Sequence, residues 1–139
     1  MLVNILGLAA MLALSSGYIS GLPCRCPIEP ESVERDFKSS AAVFLGEVVS
    51  VRGARGRLEA RLRVSRSWKG IDTEEVSVFE PANSAESPNY RTGVSYLVYA
   101  GMHDGELFTG MCSRTKPEAL AQRDLQQLGE GQKPKRVRG

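Results

Sequence analysis

Leu58, Ala60, Leu62 and Val64 alternate with Glu59, Arg61, Arg63 and Ser65. A strict period of two fits an extended strand with one buried and one solvated face. Such a strand is half buried and antiparallel, and the sequence on either side supplies its partners. Upstream, Val43, Leu45, Val49 and Val51 fall on one face and Phe44 and Val48 on the other. That strand is covered on both faces for part of its length, and Gly46 is a place for a bend or bulge. Gly53-Ala54-Arg55-Gly56 reads as the turn between the two strands.

Trp68-Lys69-Gly70 ends the second strand, and Val76, Val78 and Phe79 make a third that Pro81 stops. Ala82 to Asn89 is a polar loop with almost nothing to bury, and exposed loops on a rigid scaffold often carry contacts. Val94 to Ala100 and Leu107 to Met111 are the fourth and fifth strands, joined through His103-Asp104-Gly105, where Asp-Gly signals a hairpin. Helices stand at the margins. In Glu31 to Lys38, Val33 and Phe37 share a face, with acids early and Lys38 late, as the helix dipole prefers. Thr115 with Glu118 reads as a capping box and Pro117 suits a first turn; Ala121, Leu125 and Leu128 make an apolar stripe that ends at Gly129. The expected fold is mainly β with marginal helices: a five-stranded OB-type barrel, a short N-terminal helix and a C-terminal helix.

Ahead of these elements, Leu2 to Leu14 is almost wholly apolar. At about 13 residues it fits the core of a secretory signal better than a membrane span, which needs about 20. Residues 1–20 therefore read as a signal peptide, cut somewhere between 17 and 23. Ser15 and Gly17 offer one small-x-small site and Ser20-Gly21 a poorer one. Pro23 disfavours both a cut directly before Cys24 and a lipid anchor there. The expected location is secreted and extracellular, or periplasmic in a bacterium, with no stable membrane anchor. The remainder suits one domain at 24–128. Residues 129–139, rich in Gly, Pro, Lys and Arg, read as a disordered basic tail, solvated or in contact with an anionic surface.

Three cysteines in an exported domain suggest one disulfide and one leftover thiol. Cys24 and Cys26 point to opposite faces of an extended segment and cannot comfortably bridge each other. Either can take Cys112, and spacing alone does not choose. Such a bridge closes nearly the whole domain and contributes on the order of 4–5 kcal/mol by chain entropy. The third thiol is left free, capped, or joining two chains.

Catalytic chemistry finds little to use. His103 is the only histidine, so a site with two histidines is impossible and a Ser-His-acid triad has only a turn residue to use. No glycine-rich phosphate loop follows a strand. The expectation is a non-enzyme without cofactor or intrinsic metal. Net charge is +2, and much of the excess lies in Lys133-Pro134-Lys135-Arg136-Val137-Arg138. Aromatics are 6% of residues, and Tyr96 and Tyr99 fall on opposite faces of one strand. These features argue against a nucleic-acid partner. Trp68 reads as a core or barrel-end plug.

The order of landmarks resembles a known family. The landmarks are Cys24-Arg25-Cys26, Ala42-Val43-Phe44-Leu45-Gly46-Glu47-Val48, Trp68-Lys69-Gly70, Tyr96-Leu97-Val98-Tyr99-Ala100 and Met111-Cys112-Ser113-Arg114-Thr115. Together, over about residues 24 to 128, they resemble the tissue inhibitors of metalloproteinases and their short, N-domain-only relatives, which share the netrin-like OB fold. The resemblance implies a metalloendopeptidase inhibitor whose first cysteine, here Cys24, chelates the zinc of a target protease through its α-amino group and carbonyl oxygen. It also implies that Arg25 enters the specificity pocket, that Pro27, Ser84, Glu86, Ser87 and Pro88 complete the contact edge, and that Cys26 pairs with Cys112.

The sequence also departs from the family. The loop from Ser84 to Tyr90 has no cysteine to clamp Cys24, and Arg25 brings a charge where the family places small or apolar groups. The alternative is a non-inhibitory secreted binding or adhesion module, dimerising through Cys24.

Overall fold

A computed structural model describes residues 32–82, 89–110 and 112–135. Its elements in chain order are α1 (Val33–Ser39), β1 (Ala42–Ala54), β2 (Arg57–Lys69), β3 (Glu75–Pro81), β4 (Ser95–His103), β5 (Glu106–Phe108), β6 (Lys116–Pro117), a 3-10 turn (Glu118–Leu120) and α2 (Gln122–Leu128). The sheet runs β1-β2-β3-β5-β4-β6, and an added β1–β4 pairing closes β1 to β5 into a ring of five hydrogen-bonded strands. Every pairing is antiparallel except β3 with β5. The protein is β-rich, with few helices.

The alternation of β2 sets the inside of the ring. Ala60, Leu62 and Val64 point inward with Phe44, Val48, Val78, Tyr96, Val98 and Leu107 into one core cluster. Val43, Leu45, Leu97 and Tyr99 point outward into a second cluster, covered by Ala121, Phe37, Leu125, Leu128 and a partly buried Trp68. β1 and β4 are therefore buried on both faces, as the apolar residues on both sides of β1 predict, and Tyr96 and Tyr99 divide between the two clusters.

Turn chemistry follows the sequence. Arg55 (φ 53°) with Gly56 (φ 75°), and Asp104 (φ 49°) with Gly105 (φ 77°), form two-residue turns with both central residues at positive φ. That is the geometry whose twist matches paired strands. Ser32 caps α1 from outside, its hydroxyl accepting from the Arg35 N–H at 3.2 Å. The β1–β2 register shifts between Val43 and Phe44, between Leu45 and Gly46, where a bulge is expected, and between Val48 and Ser50. The last of these shifts reverses the parity, so Val51 packs against the inner cluster instead of sharing the face of Val43 and Leu45.

Three expectations are corrected. The fifth strand is Glu106–Phe108 and stops short of Met111. Thr115 caps no helix: its hydroxyl accepts from Tyr99 N–H at 2.9 Å. Lys116–Pro117 instead pairs with β4, and α2 begins at Gln122 without a side-chain cap. Residues 129–135, read from composition as part of a disordered tail, are fixed along β2.

Candidate functional site

Of the residues assigned to a contact edge, Cys24, Arg25, Cys26, Pro27, Ser84, Glu86, Ser87 and Pro88 lie outside the described residues. The residues on either side of 83–88 are described. Both flanks of the 83–88 loop are held. Ala82 N–H donates to Gly56 O at 3.0 Å. On the far side the Tyr96 hydroxyl accepts from Arg91 N–H at 3.0 Å and donates to Asn89 O at 3.3 Å. Tyr96 is itself buried in the inner cluster, so a core residue fixes the loop's exit.

Cys112 lies just beyond β5 and lines a recess together with Asp36 and Ser40 of the α1 end, Tyr99, Gly110 and Arg114. Hydroxyls stitch the Cys112 segment to β4. Ser113 Oγ donates to Tyr99 O at 2.8 Å and lies 2.7 Å from Thr115 Oγ1.

Arg114 then joins both helices. Its Nε and Nη2 donate to the two Asp124 oxygens at 2.6 and 2.9 Å, and its Nη1 reaches Asp36 Oδ2 at 3.4 Å. Tyr99 OH donates to Asp124 Oδ2 at 2.9 Å, and Lys116 Nζ stands 3.5 Å from Oδ1. Burial pushes the Asp124 carboxyl up, but hydrogen bonds from Arg114 and Tyr99 and the charges of Lys116 and Arg114 outweigh it, so its pKa lies below the usual value. Burial, and then the Asp124 carboxylate, push the Tyr99 phenol up.

A second polar group lies inside the ring. Tyr90 OH and Thr109 Oγ1 are 2.9 Å apart, and Glu80 is fully buried nearby, its charge acting on Tyr90. Sequence reasoning missed Asp124, Arg114 and Glu80, although two carried a signal. Asp124 sits three residues after Ala121 on the apolar stripe of α2, and Glu80 continues the inward alternation of Val76 and Val78. An acid on a buried face requires a partner.

Among the described residues no three or more His, Cys, Asp or Glu side chains gather as metal ligands. No helix among them is long and apolar enough to cross a membrane. His103 is exposed at the end of β4, beside Asp104 at 3.4 Å. No protein-family model matches the chain, and no curated protein matches it.

Proposed function

We propose that the chain is a secreted protein similar to the tissue inhibitors of metalloproteinases, built on an OB-type barrel. It inhibits a zinc metalloendopeptidase through the Cys24 segment. The observation that carries the reading is the closed ring of five strands with Cys112 placed beside α1. α1 has 7 residues and spans about 10 Å, and the chain between 26 and 32 reaches about 20 Å. A Cys26 to Cys112 bridge is therefore within reach. In this reading Arg25 and Pro27 form the contact edge, with Ser84, Glu86, Ser87 and Pro88 as its second part.

The mechanism is displacement. A free α-amine and carbonyl at Cys24 occupy the protease zinc in place of the attacking water, and Arg25 enters the adjoining pocket. The loop without a cysteine favours a second reading, a secreted binding or adhesion module linked as a dimer through Cys24. Intact mass and N-terminal sequencing of the protein secreted by its own host, without reductant, separate the two. A start at Cys24, with a mass one disulfide lighter than the reduced chain, supports inhibition. A longer start, or a doubled mass that collapses on reduction, removes the chelating amine and leaves the module.

A further inference from the structure

Cys112 is exposed, and apolar packing does little to place it. Between Leu107 and Ala121 the described residues contribute no buried apolar side chain; those buried there are Thr109 and Thr115. The course of this stretch therefore depends on hydrogen bonds, which are directional and hold a chain only where their geometry is met. Thr109 N–H donates to Phe79 O at 3.0 Å, and Ser113 N–H donates to Gly110 O at 3.1 Å. The Ser113 and Thr115 hydroxyls fasten the far side to Tyr99.

Arg114 adds what the hydroxyls do not, a fixed relation to both helices. Its side chain is 11% exposed and that of Asp124 3%. Nε and Nη2 fork onto the two Asp124 oxygens while Nη1 turns to Asp36. A planar guanidinium meets both carboxylates at once, and a lysine ammonium has no such fork. The carboxylates are seated in their turn. Asp124 accepts from Tyr99 OH, and Ala121 and Leu125 hold α2 on the outer cluster. Asp36 O accepts from Ser40 N–H and Oγ at the end of α1, and both residues line the recess that holds Cys112.

We infer that Arg114 is a positioning residue that sets where Cys112 stands between α1 and α2. For its functional consequence the inference rests on the inhibitor reading, in which Cys112 carries the bridge to Cys26 and, through it, the chelating amine of Cys24. A binding geometry of that kind has to be held to about 0.5 Å. The guanidinium is turned inward between two carboxylates, so it acts through Cys112 and not by touching the protease. Lysine keeps the charge and loses the fork, so Arg114→Lys separates the two contributions.

The test compares Arg114→Lys with Leu62→Ala, which weakens the inner cluster instead, in the oxidised chain beginning at Cys24 and well below each melting temperature. Inhibition of zinc metalloendopeptidases is one readout, and hydrogen exchange followed by mass spectrometry is the other. Arg114→Lys raises the inhibition constant about 10-fold or more and speeds exchange at 113–116 about 10-fold relative to β2. Leu62→Ala leaves the inhibition constant within about twofold and speeds exchange in β2 at least as much as at 113–116. Equal loss of inhibition in the two variants overturns the inference. So does an Arg114→Lys inhibition constant within about twofold of wild type, or unchanged exchange at 113–116 in that variant. Wild-type protein that inhibits nothing overturns the inhibitor reading instead. The exchange readout then decides the inference by itself, because the place of Cys112 in the fold does not depend on a protease.

Discussion

Asp124→Asn strikes the point where α2, the Cys112 segment and β4 are tied together. The carboxylate is 3% exposed and receives two hydrogen bonds from Arg114, at 2.6 and 2.9 Å, and one from Tyr99 at 2.9 Å. Removing one partner of a buried ion pair costs about 3–5 kcal/mol. Arg114 keeps Asp36 at 3.4 Å and Asn keeps one acceptor, so the lower end applies, about 3 kcal/mol. For a domain of this size that lowers the melting temperature by about 12–24 °C. Urea denaturation at neutral and acid pH measures it. The folded-state pKa of Asp124 lies below its unfolded value. Its contribution is therefore complete above about pH 4 and is lost as pH falls through the folded value, so wild type and variant converge in acid. A gap under about 1 kcal/mol at neutral pH, or one that survives acidification unchanged, refutes the reasoning.

Leu62→Ala removes a fully buried side chain from the inner cluster, with an expected loss of about 2–5 kcal/mol in the same denaturation assay. Gly131→Ala places a Cβ about 2.8 Å from Trp68 Cε2 at a backbone φ of +67°. We expect a cost of about 1–3 kcal/mol and a red-shifted indole emission as the 129–135 segment lifts from β2. Glu75→Gln opens an exposed ion pair with Arg61, and stability changes by less than about 1 kcal/mol.

The sheet was legible because its signals are local. The alternation in β2, the apolar residues on both faces of β1 and the Asp104-Gly105 pair each report a geometry that a few neighbouring residues determine. The C-terminal end was not legible in the same way. Thr115 and Glu118 match a capping pattern, but Tyr99 offers a buried N–H that takes the Thr115 hydroxyl instead, and residue spacing does not reveal such a long-range competitor. The same holds for Val51, whose face depends on a bulge between Val48 and Ser50. Gln132 lies in a stretch whose composition reads as disordered, yet its backbone finds the exposed edge of Ser67. Edge pairing of this kind uses main-chain groups that every residue carries, so composition is silent about it. Asp124 was the recoverable miss, since a carboxylate on the stripe of Ala121, Leu125 and Leu128 called for a cationic partner.

Inhibition of a panel of zinc metalloendopeptidases tests the proposed function most directly, using the folded, oxidised chain in two forms. One begins at Cys24 with a free amine; the other carries one additional residue ahead of it. The account predicts stoichiometric inhibition by the first form and none by the second, because one residue blocks the chelating amine. Equal inhibition by both forms, or none by either, contradicts it.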